Sequence, residues 1–257
     1  MTQSGSPAVT VTFAGSGDAF GSGGRYQACI HLRPAGASPV LLDCGATSLS
    51  ALRRAGLDPG EIAGVVISHL HGDHFGGLPF LILDGQFSRR TRPLAVAGPP
   101  GTERRLTEAM ECLFPGSARV RRRFDVAVME LSPGTAGLAG GVRVRAWAAD
   151  HPSGAPALSL RLDLAGRSIA YTGDTAWTAA LADVAADADL LIAEAYTRDK
   201  NIPYHLRLAD LHAHRDVLTA RRVILTHMSA DMLASQDDTA DEYARYEYAR
   251  DGLTVSL

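Results

Sequence analysis

The segment from Ser68 to His74 constrains this chain more than any other. It reads Ser-His-Leu-His-Gly-Asp-His, so three imidazoles and one carboxylate fall within six consecutive positions. The whole chain of 257 residues has only nine histidines, so chance does not readily place three of them together. An apolar run from Ile62 to Ile67, rich in β-branched residues, precedes the segment and predicts a buried strand. The pattern therefore predicts a loop that presents metal ligands at the end of a strand.

The spacing within this loop divides its ligands between two neighbouring points. His69 and His71 can face one point, while Asp73 and His74 face the other. Neutral imidazole suits zinc, iron and similar divalent ions, and a carboxylate suits a harder metal or a second centre. A histidine-rich surface loop is the alternative interpretation, and the position directly after a core strand argues against it.

Three later residues of ligand type also follow predicted strands. His151 comes after the strand over residues 142–147, and His227 closes the strand over residues 222–225. Asp174 follows Gly173 at the end of a predicted hairpin, where its two oxygens could bridge two metals or cap the next helix. A sheet gathers the ends of its strands at one edge, so these side chains can meet the loop at residues 68–74.

Composition and length exclude several classes of protein. The length fits one α/β domain over residues 1–257. A net charge of -3 does not attract nucleic acid to the molecule as a whole. The three cysteines are widely spaced without a C-x-x-C pair, which argues against a disulfide framework or a zinc knuckle. We see neither a signal peptide nor an apolar run of membrane length, so we expect a cytoplasmic protein without a membrane partner.

Other segments allow a second interpretation. The glycine-rich stretch at residues 15–24 could cradle a phosphate, but it lacks the G-x-G-x-x-G spacing and precedes a strand, so we expect a flexible loop beside the active site. The arginines at residues 119–123 could bind an anion, and we favour a solvated edge. His212 and His214 lie on a predicted amphipathic helix, and we read both as surface residues or as neighbours of the ligands. Residues 239–250 predict a terminal helix.

Taken together, these motifs resemble the metallo-β-lactamase superfamily. The resemblance implies an α/β fold of four layers, αβ/βα, in which two sheets pack face to face and the metals lie at the rim. It implies two divalent metal ions, with zinc favoured over manganese or iron. Carried over residue by residue, it assigns His69, His71 and His151 to the first metal, Asp73, His74 and His227 to the second, and Asp174 to a bridge between them. An aspartate rather than a cysteine at position 174 fits the dinuclear hydrolases of the superfamily.

A closer resemblance is to the ribonuclease Z-like branch. Gly173-Asp174-Thr175, Glu194-Ala195-Tyr196, His205 and Thr226-His227-Met228-Ser229 follow one another in the order of that branch. The resemblance implies that His205 protonates the leaving oxygen or stabilises the pentavalent phosphorus, and that Glu194 orients His205. It also implies that Asp73 orients the attacking water or accepts its proton.

Two departures from the branch shape the expected substrate. Ribonuclease Z carries a long arm for transfer RNA between the positions that match His151 and Asp174, whereas this chain has only a predicted tight hairpin there. His205 also lacks the Ser-Thr pair that follows it in ribonuclease Z. We therefore expect a small phosphodiester as substrate and no transfer RNA, and we leave a homodimer open. The alternatives are a lactonase, a thioesterase, an arylsulfatase, or a metal-binding accessory protein without hydrolytic activity.

Overall fold

The computed structural model describes residues 8–235 and 243–257. Within them, the chain forms fourteen strands: β1 (Val9–Gly15), β2 (Cys29–Pro34), β3 (Val40–Leu42), β4 (Gly64–Val66), β5 (Leu94–Gly98), β6 (Val126–Glu130), β7 (Ala136–Ala139), β8 (Val142–Ala148), β9 (Leu158–Leu164), β10 (Arg167–Tyr171), β11 (Leu190–Glu194), β12 (Val223–Thr226), β13 (Tyr246–Tyr248) and β14 (Thr254–Ser256). The α-helices of the same residues are α1 (Ser48–Arg54), α2 (Gly72–Phe75), α3 (Leu78–Phe87), α4 (Thr102–Leu113), α5 (Ala180–Ala185), α6 (Leu208–Ala213) and α7 (Ala230–Ala234).

The strands form two sheets of seven. The first has the order β14-β1-β2-β3-β4-β5-β6, and the second has the order β13-β12-β11-β10-β9-β8-β7. In each sheet one half is antiparallel, and the other half, β3 to β6 or β10 to β13, is parallel. Parallel neighbours end at the same edge of a sheet, which is what the convergence of strand-end residues requires.

Alternation along the strands explains how the two sheets pack. In β1, Val9, Val11 and Phe13 are fully buried and join Leu160 and Ile192 of the second sheet in one core between the sheets. Fully burying such side chains contributes roughly 1.5–3 kcal/mol each. The outer face of each sheet, which points away from this core, is also apolar, and helices cover it.

The outer layers complete the fold. Leu52 of α1 and Leu106 of α4 pack with the outer face of the first sheet, and α3 lies in the same cluster. Leu181 of α5, Leu211 of α6 and Met232 of α7 pack on the outer face of the second sheet. The predicted four-layer αβ/βα architecture is therefore confirmed. The extent of a single domain over the whole chain stays a prediction.

Glycines let the histidine-rich loop lie directly on the end of β3. A Cβ atom on Gly45 would lie 2.1 Å from the backbone oxygen of Asp73, and one on Gly77 would lie 2.2 Å from that of Gly45. Both distances are shorter than any real contact, so backbone meets backbone at these two positions. This packing fixes the height of Asp73 and its neighbours above the sheet.

One predicted element is wrong. Residues 246–248 form β13, which pairs in parallel with β12, instead of continuing a helix from residue 239. The pattern of two tyrosines spaced three apart suits a helix, but pairing with β12 overrides it. Residues 239–242 of the predicted helix lie outside the described residues. Among the residues that the structure describes, no helix combines the length and the apolar character that crossing a membrane requires.

Candidate metal centre

The structure brings all seven predicted metal ligands to one edge of the sandwich. They come from five segments that follow β4, β8, β10 and β12 or begin α2, and they form two groups with ligand atoms within 4.8 Å of one another. The first group consists of His69, His71 and His151, and the second of Asp73, His74, Asp174 and His227. The chemistry of these donors shows whether they suit a metal ion.

In the first group, three imidazoles present nitrogen atoms to a common point. Nε2 of His151 lies 3.1 Å from Nδ1 of His71. Nε2 of His69 is buried and has no hydrogen-bond partner. Nδ1 of His151 lies 3.0 Å from the carbonyl oxygen of Tyr204 and donates a hydrogen bond to it, which leaves the lone pair on Nε2. A buried nitrogen without a partner and a fixed tautomer are what a bound divalent ion requires.

The second group has the spacing of a coordination shell. Nε2 of His227 lies 3.1 Å from Oδ2 of Asp73 and 3.4 Å from Oδ2 of Asp174. Nε2 of His74 lies 3.2 Å from Oδ2 of Asp73 and 3.3 Å from Oδ1 of Asp174. Four atoms at about these distances from one another form a tetrahedron whose corners lie about 2.0 Å from its centre. This is the length of zinc bonds to nitrogen and oxygen. The residues therefore fit a divalent ion.

Asp174 lies between the two groups. Its Oδ2 atom is 3.9 Å from Nε2 of His69, in the first group, and 3.4 Å from Nε2 of His227, in the second. Gly173 adopts a φ of 60°, and a Cβ atom there would lie 2.9 Å from the carbonyl oxygen of Leu158. Glycine thus permits the turn after β10 that aims Asp174 at both groups. This is the position that a bridging carboxylate would take.

Charge is balanced within the second group. Burial opposes ionisation of every member, but the neighbouring opposite charges outweigh it. They lower the pKa of Asp73 and Asp174 well below the usual range, raise that of His74 well above it, and raise the pKa of His227 to about 10. Without metal, the group therefore holds two carboxylates and two imidazolium ions near neutral pH.

The first group has the opposite character. Burial and the charge on the neighbouring His74 lower the pKa of His69 well below its usual value. Burial and the neighbouring His151 also lower the pKa of His71. These imidazoles are neutral near pH 7 and are already in the form that binds a metal.

Asp43 is a functional residue that the sequence reasoning missed. Its carboxylate is fully buried and accepts hydrogen bonds from the backbone nitrogen and hydroxyl of Ser68, at 2.7 and 2.8 Å. It also accepts from Nδ1 of His74, at 2.7 Å, and from the hydroxyl of Tyr171, at 2.8 Å. The missed signal is its own position, directly after a strand and two residues before a glycine. Asp43 orients His74 from the side opposite the metal group.

His205 lies next to the two groups of ligand-type residues and is hydrogen-bonded to Glu194. Its Nδ1 atom donates a hydrogen bond to Oε1 of Glu194, whose other oxygen accepts from the backbone nitrogens of Thr175 and Leu206, at 3.0 and 3.1 Å. Burial lowers the pKa of His205, but the hydrogen bond and charge of Glu194 outweigh it and raise that pKa. Atoms of Glu194 and His205 also lie within 4.8 Å of those of Asp174 and His227.

A cleft of about 180 Å³ joins these residues. Its walls combine members of both metal groups with His205, Tyr196 and two residues of the glycine-rich loop; they are Ala19, Phe20, His71, Asp73, His151, Asp174, Tyr196, His205 and His227. The glycine-rich loop therefore does lie beside the site. His212 and His214 do not: Nδ1 of His214 contacts the carbonyl oxygen of Asp210 at 2.8 Å, and His212 packs against Tyr243.

Comparisons with known proteins agree with this geometry. The family model described as anti-Pycsar protein Apyc1 matches residues 9–250. A ribonuclease Z of Mycobacterium avium (strain 104) is 28% identical over 263 residues, which cover 94% of this chain and 93% of the relative. The crystal structure of the short form of human tRNase Z is 25% identical, covers 96% of this chain and 99% of that one, and has a TM-score of 0.78. YhfI of Bacillus subtilis, a metallo-β-lactamase fold protein, is 18% identical, covers 98% and 100%, and has a TM-score of 0.79.

These comparisons correct one expectation. We expected no transfer RNA because of the net charge and the short hairpin between His151 and Asp174, which the structure shows as β9 and β10. That expectation is wrong, because the similar proteins include ribonucleases Z, and one structure among them, the short form of human tRNase Z, matches this chain over nearly its full length. A short hairpin and a net charge averaged over the molecule do not describe the local surface that a nucleic acid would contact.

Proposed function

Because the chain belongs to the family of the anti-Pycsar protein Apyc1 and to the ribonuclease Z-like group of metallo-β-lactamase fold hydrolases, we propose that it hydrolyses phosphodiesters with two divalent metal ions. A small phosphodiester is the substrate that we would test first. The observation that carries the proposal is the position of Asp174 between two groups of ligand-type residues, with His205, which is hydrogen-bonded to Glu194, facing the same cleft.

The ligand-type residues suit two ions rather than one. His69, His71 and His151 would hold the first, and Asp73, His74 and His227 would hold the second, with Asp174 shared. When bound, the two ions would lower the pKa of a water molecule and offset the negative charge that develops on the phosphate. Zinc suits the imidazole-rich first group, and manganese or iron would also suit the carboxylates of the second.

The chain's own residues would carry the proton transfers. One carboxylate oxygen of Asp73 faces the second group, and the cleft exposes this side chain to a water molecule that it can orient. The Nδ1 proton of His205 is engaged by Glu194, which leaves Nε2 as the atom that can donate a proton to the leaving oxygen. Oε1 of Glu194 also lies 3.5 Å from Nδ1 of His227, so one buried carboxylate lies close to both the proposed proton donor and a proposed metal ligand.

A panel of substrates tests the proposal. Protein loaded with zinc or manganese should hydrolyse bis(p-nitrophenyl) phosphate faster than a lactone, a thioester or an aryl sulfate at equal concentration. Elemental analysis should find two ions per chain. His69→Ala should lose metal and activity together, whereas His214→Ala, a histidine outside the cleft, should keep both. Faster turnover of any of the other three substrates, or one ion per chain with full activity, would contradict the proposal.

A further inference from the structure

Tyr204 has a backbone conformation that its side chain does not explain. Its φ is 65°, in the left-handed region, where the Cβ atom of an L-residue crowds the backbone. Its side chain is 47% exposed, so burial of the ring does not hold the chain in this conformation. A bulky residue keeps a positive φ only where the surrounding structure requires it. The contacts on the two sides of Tyr204 show what requires it here.

On one side, the carbonyl group of Tyr204 points at a residue of the first metal group. Its oxygen accepts a hydrogen bond from Nδ1 of His151, at 3.0 Å. Nε2 of the same ring lies 3.1 Å from Nδ1 of His71, another member of that group. The carbonyl oxygen therefore favours the tautomer of His151 that leaves a lone pair on Nε2, and it fixes the rotation of the ring.

On the other side, the chain that follows Tyr204 is fastened to Glu194. The next residue is His205, whose Nδ1 atom donates a hydrogen bond to Oε1 of Glu194. The backbone nitrogen of Leu206 donates to Oε2 of the same carboxylate, at 3.1 Å. The backbone nitrogen of His205 donates to the carbonyl oxygen of Ile202, at 3.3 Å. With the chain held by these bonds, the left-handed conformation is the one in which the carbonyl also reaches the imidazole.

The two histidines that Tyr204 connects lie next to each other. The ring centroids of His151 and His205 are 4.9 Å apart, and their planes meet at 71°. Both side chains line the cleft. One is a proposed metal ligand and the other is the proposed proton donor. Tyr204 therefore contacts the first through its carbonyl group and carries the second through its peptide bond.

We propose that Tyr204 is a positioning residue. Its left-handed backbone aims the carbonyl oxygen at Nδ1 of His151, so the loop that carries His205 sets the orientation of a ligand of the first ion. Such coupling between two sites is reciprocal, and an ion bound by His151 also steadies the loop and thereby places His205 at the cleft. This inference rests on the proposed two-metal function and adds the residue that links the first ion to the proton donor.

Variants of position 204 separate the role of the backbone from that of the ring. Proline fixes φ near -65° and excludes the left-handed region, whereas glycine and asparagine enter it readily. Tyr204→Pro should therefore lower the zinc affinity of the first group about 10-fold or more, the usual scale for losing a partner that orients a ligand. Tyr204→Gly and Tyr204→Asn should stay within about threefold of the wild type. Competition with a chromogenic chelator measures these affinities.

The turn between β9 and β10 offers a matched control. Ala165 lies in this turn, is exposed and also has a positive φ, of 47°. The turn is at the opposite end of β10 from Asp174, so Ala165→Pro makes the same backbone change away from the metal groups. It should leave both zinc affinities within about twofold of the wild type.

A double-variant cycle shows whether the effect acts through His151. His151→Gln removes the imidazole that Tyr204 holds, and the affinity that it lowers identifies the ion of the first group. Adding Tyr204→Pro to His151→Gln should cause a further loss of less than about twofold, because the contact is already gone. A merely structural effect of proline would add in full to that of His151→Gln.

A measurement on the metal-free chain separates this inference from the proposed function. Long-range proton–nitrogen NMR spectra distinguish the two tautomers of a neutral imidazole, which is the form of a free ring at about pH 8.5. The signals of His151 are those that His151→Gln lacks. The ring should carry its proton on Nδ1 in the wild type and in Tyr204→Gly, and should be a mixture of tautomers in Tyr204→Pro. If the wild type binds no metal, the proposed function fails, and these spectra alone decide the inference.

Three results would overturn the inference. The first is equal zinc affinity in Tyr204→Pro and Tyr204→Gly, the second is full additivity with His151→Gln, and the third is one tautomer of His151 in all variants. If Tyr204→Pro does not fold, Tyr204→Val takes its place, because a β-branched residue disfavours a positive φ without excluding it. Its zinc affinity should then be lower than that of Tyr204→Gly by about threefold or more, and equal affinities would again overturn the inference.

Discussion

Nδ1 of His74 lies 2.7 Å from Oδ2 of Asp43, a carboxylate to which solvent has no access. The same oxygen accepts a hydrogen bond from the hydroxyl of Tyr171, at 2.8 Å. The bond places the proton of His74 on Nδ1 and turns Nε2 toward Asp73 and His227. The geometry of the second metal group therefore depends on a residue that is not part of it, which is common where imidazoles bind metals.

Replacing this carboxylate should loosen the second ion. We expect Asp43→Asn to lower the affinity for that ion by about 10- to 100-fold, because the amide holds His74 less firmly and reduces the basicity of its ring. Competition with a chromogenic chelator measures the affinity of each ion in turn. Asp58→Asn serves as control, since Asp58 lies in an exposed turn where it accepts from the backbone nitrogen of Gly60. Equal affinities in Asp43→Asn and the wild type would show that Asp43 only fills space.

His205 should matter for turnover and not for metal content. We expect His205→Ala to keep both ions and to lower kcat for an alkyl diester by about 10²-fold or more, the usual scale of general acid catalysis. The loss should be smaller for a p-nitrophenyl ester, because p-nitrophenolate leaves without a proton. His214→Ala, which changes a histidine outside the cleft, is the control. Equally small losses on both types of ester would remove the proposed role of His205.

Metal binding should release protons. Burial opposes the charge on His227, but Asp174 and Asp73 outweigh it and raise its pKa to about 10, so the ring is protonated at neutral pH without metal. A ring bound to a metal has lost that proton, so loading near pH 7 should release about one proton or more per chain. Calorimetric titration of zinc in two buffers of different ionisation enthalpy counts the protons. Heats that do not depend on the buffer would contradict this expectation.

A buried histidine far from the metals should make the fold sensitive to acid. His31 on β2 is 1% exposed, and its Nε2 has no hydrogen-bond partner. Burial and the charge of Arg33 lower its pKa to about 4. The unfolded chain, with a pKa of about 6.5, binds a proton first as pH falls, so stability is lost from about pH 6.5 down to about pH 4.

The matched variant isolates this effect. Between about pH 7.5 and pH 5, the wild type should lose about 2 kcal/mol of unfolding free energy that His31→Leu does not lose. Urea titrations of both proteins with a chelator present measure the difference, and every other titrating group is shared. A parallel pH dependence in the two proteins would mean that His31 binds its proton equally well in the folded and unfolded states.

Much of the fold and of the candidate site could be predicted because their signals are local. His69 to His74, His151, Asp174 and His227 each follow an apolar strand, and the topology needed only to gather strand ends at one edge. Gly173 marks a tight turn, and Gly45 marks a place where backbone packs on backbone. The four-layer packing was predicted only through the resemblance to the metallo-β-lactamase superfamily. Its physical basis is strands that are apolar on both faces, as in β11, where all five residues are buried.

Other features arise only from contacts between distant segments. Asp43 is one polar residue among many until Ser68, His74 and Tyr171 surround it. Strand β13 exists because β12 offers an edge, and its own residues do not require it. Asp18 accepts a hydrogen bond from the backbone nitrogen of Ser22, and Asp251 accepts from those of Ser16 and Tyr26. No local pattern indicates these contacts, so the sequence predicted a loop near the site without showing that its backbone is fastened.

The hydrogen bonds by which the Asp251 carboxylate fastens the glycine-rich loop, from Ser16 and Tyr26, have a consequence for how the protein is made. Ser16 and Asp251 are separated by 235 positions, so during synthesis the loop that bears Phe20 leaves the ribosome long before its partner does. Strands β1 and β2, which flank the loop, can pair earlier, yet the wall that the loop adds to the cleft is fastened only after Asp251 has emerged. Nascent chains would therefore carry every ligand-type residue of the two groups, of which His227 is the last, before they carry the residue that fastens this loop.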